Sequence, residues 1–381
     1  MDSVYTTDPK TRAEVEGWVD VPYGANEIVN AGAYPLGPHL APLARWASRM
    51  ALLNGVQVGT ANHESGFLQA SRMKMGVNLH TPSLLDIIGA HRDGQPLGSI
   101  SLGQFVGQDY SAGWFGAFER EKEQKVPGQP PTYNPLLEGL SSQEPADLER
   151  MARVLRRRAG ELRQGGSAAQ AVTAGNLEQV AALFDRIPSV PPLELKTWSD
   201  IPARQNIARH FQRILWAFEN DLTCGAFLRL GVLEWDSHYA NARSQTTWNG
   251  HFASMFDRFL EELHQRHNAY GPLTGSTLVV VGSELGRFPG LNDNQGKDHL
   301  PQVPYLFLGA GIRTGERGAC YGATGRKMEG LPLSIATGRP TGTGGHLPTL
   351  DDVGTTLLHL AGLKPSLYGY NGRLLEFLLS A

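Results

Sequence analysis

Cysteine is scarce in this chain, with only Cys224 and Cys320 in 381 residues. That excludes a disulfide scaffold and a zinc site built from thiolates, leaving room for one bridge at most. No apolar run approaches the roughly 18 to 20 residues of a membrane span. The opening MDSVYTTDPK has neither the basic nor the apolar segment of a signal peptide, so as written the chain reads as cytoplasmic. An excess of one charge is missing too. With 34 Lys plus Arg against 37 Asp plus Glu, the net charge of −3 exerts no long-range pull toward nucleic acid or anionic membranes. What is present is apolar material, 41 % of the residues, enough for a sizeable core in one large α/β domain or in two.

Order along the chain is uneven. Pro38 to Leu53 has apolar residues at helical spacing, then Asn54-Gly55 reads as a turn and Val56-Gln57-Val58 as a short strand. The polar stretch Gly59 to Gly66 reads as a loop, with Phe67 to Met75 opening the next helix. Residues 77 to about 200 carry the weakest pattern, Gly/Pro-rich around Val126 to Pro131 and then a charged helix from Ala146 to Arg163. They read as an insertion or cap in a single domain spanning 1–381. Arg156-Arg157-Arg158 reads as a solvated helix face rather than an anion patch.

Beyond residue 203 the pattern sharpens into a helix, a buried strand from Phe227 to Trp235, a helix carrying Phe252, Phe256, Leu260 and Leu263, and a strand from Thr277 to Ser283. Strand, helix and strand make a βαβ unit, which predicts a mostly parallel central sheet in an α/β/α sandwich. A strand from Val303 to Leu308 and a final helix from Leu350 to Leu363 follow. Parallel sheets place ligand sites at the carboxyl ends of their strands, where Asp236 and Glu284 fall.

Asp236 and His238, in WDSH, are two residues apart and leave an extended backbone on the same face. Carboxylate and imidazole together suit zinc, manganese or iron better than magnesium or calcium. Glu284 ends an apolar strand, so its carboxylate needs a partner, an ion or solvent. Arg287 supplies either a structural ion pair or a bidentate clamp for a phosphate or sulfate oxygen. Asp298-His299 lies in a polar loop long enough to fold back over the strand ends, and Lys297 adds a cation for an anionic substrate. His346, in TGTGGHLP, is read as a loop histidine.

WDSH, SELGR and GKDHLP, in that order and followed by DDVGTTLLHLAGL, resemble the bacterial domain of unknown function 1501, a branch of the alkaline phosphatase and sulfatase superfamily. The resemblance covers 227–380 firmly and 1–76 more loosely. It implies an alkaline phosphatase-like fold and a site for one or two divalent ions, zinc or manganese. Asp236, His238 and His299 would hold one ion and Glu284 the second, with Asp2 matching the aspartate after the family's first strand. Asp298 would be a ligand or would orient His299. The nucleophile would fall at a helix start within Gly59 to Ser65, making Thr60, His63 and Ser65 the candidates. Thr60 or Ser65 could equally be a plain helix cap.

Two departures stand out. The chain starts at Met1-Asp2 without the apolar strand and twin-arginine leader usual in the family; a removed leader would make the protein periplasmic. No sharp nucleophile signature of the SxTW or CxPSR kind is present. The expected activity is hydrolysis of a small phosphate or sulfate ester. The rival readings are a non-catalytic binding or assembly protein that keeps the fold, and a one-ion peptidase or amidase. The sequence carries no signal for oligomeric state.

Overall fold

Met50–Gln57, in the computed structural model, is a strand buried on both faces for all but its last residue. The structure describes residues 2–78, 80–92, 95–103, 143–199, 205–230, 235–342 and 344–380. The strand lies in a four-stranded sheet ordered Ala319–Tyr321, Met50–Gln57, Gln302–Gly309, Leu278–Val281. Alternation along it sorts side chains to two apolar clusters. Met50 and Leu52 join one with Leu306, Phe256 and Leu215, whereas Ala51 and Leu53 join another with Phe307, Val353 and Leu358.

This sheet corrects the expected parallel arrangement. Gln302–Gly309 runs antiparallel to both its neighbours, and only Ala319–Tyr321 pairs parallel, with Met50–Gln57. The supposed βαβ unit is split. Ala226–Arg229 pairs in parallel with Ile100–Gly103 in a separate two-stranded sheet. The expected strand to Trp235 covers only Ala226–Arg229 among the described residues, and 231–234 lie outside them. The reason is the connection after Leu278–Val281: residues 282–301 form a loop without a crossover helix, and the chain comes back beside the strand it left, as antiparallel pairing allows. The fold is therefore mixed α/β, with several helices and small sheets and no single parallel central sheet among the described residues.

Other expectations shift at their edges. Pro38–Arg49 is 3₁₀-helical, not α-helical, with Pro42 inside it donating no backbone hydrogen bond, and the expected helical residues 50–53 belong to the strand Met50–Gln57. Asn54-Gly55 is no turn but a kink within the strand: Gly55 takes φ +79°, the register shifts opposite Pro304, and the Asn54 side chain bonds to Thr7. The helices expected from periodic runs fall at His63–Arg72, Pro145–Gln164, Gln205–Glu219, Asn241–Gln265 and Leu350–Leu360, and Ala168–Arg186 is a further long helix that the pattern does not announce. Arg156-Arg157-Arg158 is exposed, with Arg156 paired to Asp185 and Arg158 to Glu161. The loop around 126–131 lies outside the described residues.

The antiparallel register has one consequence for function. Gln57 faces Gln302, so the segment after Met50–Gln57 and the loop 282–301 leave the sheet at the same end. Phe307, central and fully buried, anchors this arrangement. Phe307→Ala is expected to cost about 3–5 kcal/mol of stability, read from the midpoint of chemical denaturation.

Candidate metal centre

Asn62 caps the His63–Arg72 helix by accepting from the Ser65 N–H, which sets His63 on the first turn. Gly66 lets that helix lie against Glu284, whose Cβ and carbonyl oxygen would be 3.2 Å from a Cβ added there. The loop 282–301 supplies a two-residue antiparallel ladder, Gly286–Arg287 with His299–Leu300, that faces Arg287 to His299. The third segment, Trp235 to Asn241, is stitched to the same loop: Lys297 N–H donates to the Ser237 carbonyl and Asn241 N–H to the Gln295 carbonyl.

These three segments bring His63, Asp236 and His299 together, with one ligand atom of each within 4.8 Å of the others. His238 approaches two of the three, its Nε2 lying 3.0 Å from His299 Nε2 and 3.1 Å from Asp236 Oδ1. His299 Nε2 is 3.3 Å from Asp236 Oδ1, and His63 Nε2 is 3.2 Å from Asp236 Oδ2 at an angle unsuited to a hydrogen bond. The imidazole rings stack edgewise or tilted, with centroids 4.5 Å apart for His63 and His299 and 4.7 Å for His238 and His299.

Each ring has a different acceptor at its other nitrogen. His63 Nδ1 meets Glu284 Oε1 at 3.0 Å, His238 Nδ1 meets Asp298 Oδ1 at 3.3 Å, and His299 Nδ1 donates to the Ala61 carbonyl at 2.7 Å. Acceptors there hold the ring proton on Nδ1 and leave the Nε2 lone pairs bare. Bare lone pairs of His238 and His299 would then face one another at 3.0 Å, a repulsive arrangement unless a cation sits between them. Two nitrogens bound to one tetrahedral zinc at its usual bond length lie about 3.3 Å apart. The donor set therefore fits a divalent ion.

Electrostatics agree with this. Burial raises the Asp236 carboxyl, but the Arg287 guanidinium at 2.5 Å, with His299 and His63, more than reverses that and holds it well below the usual carboxylate range. Desolvation likewise raises Glu284, and its bond to His63 brings it down to about 2. His63 is raised, first by that bond and then by Asp236.

The remaining sequence candidates are placed differently. Glu284 sits behind His63, orienting the ring. Asp298 stands behind His238, not behind His299. Arg287 is buried, with one nitrogen on Asp236 and another donating to the Lys297 carbonyl at 3.0 Å. Lys297 is sealed from solvent and paired with Asp2 at 2.9 Å and Asp20 at 3.5 Å. Asp2 belongs to no three-residue ligand cluster among the described residues. Thr60 Oγ1 and Ser65 Oγ share a hydrogen bond of 2.7 Å, and Thr60 also accepts from the Asn62 N–H. His346 bonds to Asp352 at 2.6 Å, away from this cluster's hydrogen bonds. His63 entered the sequence reading as a nucleophile candidate; its position after a buried strand was the available signal for a ligand. Asp20, Asn241 and the Ala61 carbonyl had none.

A mixed α/β protein with an imidazole-rich cluster at one end of its sheet is what fold and site define. The chain belongs to the family described as "Protein of unknown function (DUF1501)", whose pattern matches residues 2–377. Among solved structures, a 2-O GAG sulfatase is similar at 14 % identity and a TM-score of 0.36, covering 96 % of this chain and 73 % of that one. No curated protein matches.

Asp236→Ala and His299→Ala are expected to abolish retention of added Zn²⁺ after dialysis, and Glu284→Gln to weaken it about 10- to 100-fold. Gly296→Ala should weaken it as well, because a Cβ there would overlap the His238 carbonyl and push the two loops apart. Unchanged metal content in all four variants would dispose of the site.

Proposed function

We propose that this chain is a metal-dependent hydrolase of small phosphate or sulfate esters, with a divalent ion held by Asp236, His238, His299 and His63. One observation carries the reading: three imidazoles turn Nε2 toward a single carboxylate while each Nδ1 is engaged elsewhere. Imidazole with carboxylate favours zinc or manganese. A divalent ion there would polarise a non-bridging ester oxygen and lower the pKa of the attacking group.

The chain's own residues do the rest. Arg287 keeps Asp236 ionised and aimed, so Asp236 acts as a ligand and not as a proton donor. Thr60 and Ser65 are the nucleophile candidates, at the positive end of the His63–Arg72 helix. Whichever of the two hydroxyls accepts their shared bond is the better alkoxide, since a hydrogen bond to the charged form favours it. His299, bonded to the Ala61 carbonyl, ties this loop to the cluster.

A second reading is a binding protein without catalysis. It is favoured by the inward commitment of Arg287 and Lys297, neither of which presents its charged end to a substrate anion. Assays with aryl phosphate, phosphodiester and aryl sulfate in Zn²⁺ or Mn²⁺ separate the two. The hydrolase reading expects turnover of at least one class, lost in Asp236→Asn and lowered on the order of 10³-fold or more by Thr60→Ala or Ser65→Ala. Inactivity with every ester and both metals would leave the binding protein.

A further inference from the structure

Two-ion catalysis needs a second set of carboxylates; Glu284 and Asp298 are engaged by His63 and His238, and Asp2, the remaining carboxylate that the family resemblance offers, already shares a buried cation with Asp20. Lys297 Nζ lies 2.9 Å from Asp2 Oδ2 and 3.5 Å from Asp20 Oδ2, with no solvent reaching the lysine. Asp2 is equally closed: its Oδ1 accepts from the Val4 N–H at 3.2 Å, and its Oδ2 also accepts from Asn241 Nδ2 at 3.2 Å. The Tyr5 ring lies 5.5 Å from the same ammonium. A divalent ion placed between these carboxylates would have to expel a buried ammonium or sit beside it, like charge against like charge with little solvent to screen them.

We infer that the site takes one ion per chain, and that the Lys297 ammonium is a built-in cation standing where a second ion would need Asp2. This rests on the ion-binding reading above. Lys297 is then a positioning residue, and the structure traces how it acts. Its backbone N–H donates to the Ser237 carbonyl, while Asp2 reaches Ser237 from the other side through Asn241, whose Oδ1 accepts the Ser237 hydroxyl at 2.5 Å. Ser237 lies between the ligands Asp236 and His238, and Lys297 is two residues before His299. The ammonium thus neutralises acidic groups behind the cluster and clamps both ligand-bearing segments, leaving the imidazoles and Asp236 as the donors for one ion.

The test is stoichiometry. Chelator-stripped full-length protein is titrated with Co²⁺, followed by its visible absorption, and separately loaded with Zn²⁺, desalted and analysed for metal per chain. Saturation at one equivalent is expected in the wild type, and a folded Asp2→Asn should keep that single equivalent with a Kd weakened about tenfold, because a loosened Lys297 no longer clamps the two ligand-bearing segments. Two ions per wild-type chain would overturn the inference, as would a folded Asp2→Asn whose Kd is unchanged. Should that variant fail to fold, the wild-type count decides alone. A wild type that binds no ion would instead remove the ion-binding reading, and this inference with it.

Discussion

The Lys297 ammonium lies 2.9 Å from the Asp2 carboxylate, and neither group reaches water. Burying two charges is expensive, and deleting one member of such a pair costs about 3–5 kcal/mol because the other stays charged and dry. Here the pair joins segments far apart in sequence, the start of the chain and the loop 282–301, and through Asn241 it also reaches the segment bearing Asp236 and His238. The start of the chain and two ligand-bearing segments, already stitched to each other by backbone hydrogen bonds, are therefore tied together from behind. The pair backs the segments that bear His238 and His299, whose rings lie outside the apolar core, while His63 is held separately by Glu284.

In front of this backing, Asp236 is the centre of charge. Arg287 approaches it from the protein side, with Nη2 on Asp236 and Nη1 on the Lys297 carbonyl. The imidazoles approach from the other segments. A carboxylate beside a guanidinium stays ionised to low pH, which suits a ligand and disqualifies a general acid. Glu284, Asp298 and the Ala61 carbonyl then set the ring orientations one by one, so removing any one of them frees a single ring and leaves the others in place.

Much of this was legible in the sequence, and the losses have identifiable causes. The helices around Phe252 to Leu263 and Leu350 to Leu360 announce themselves by periodic apolar residues, and WDSH, SELGR and GKDHLP each supply side chains at or behind the cluster. Strand direction was not legible. A run such as Thr277 to Ser283 has the same pattern in a parallel or antiparallel ladder, and only the return of Gln302–Gly309 beside it decides which. His63 was visible as a polar-loop residue but not as a companion of Asp236, because their proximity arises from Gly66 letting a helix lie against Glu284, a tertiary contact. Lys297 misled for a related reason. A lysine beside Asp298-His299 reads as a surface cation, yet the carboxylates that draw it inward are Asp2 and Asp20, at the opposite end of the chain.

The contrast between the two sides of the site bears on function. Behind it, Lys297, Asp2 and Arg287 are closed off; in front, the Asp236 side chain is 48 % exposed and that of Asp298 66 %. Structural zinc sites are enclosed by their ligands on all sides, whereas sites that act on solutes keep a face open. A donor set that exists only to brace the fold would gain nothing from this asymmetry, because the bracing is already supplied by the buried ion pair. The rigid backing and the open face are what the proposed function would require, and the loop that carries the half-buried Thr60 and Ser65 is tied to the cluster by the His299 bond to the Ala61 carbonyl.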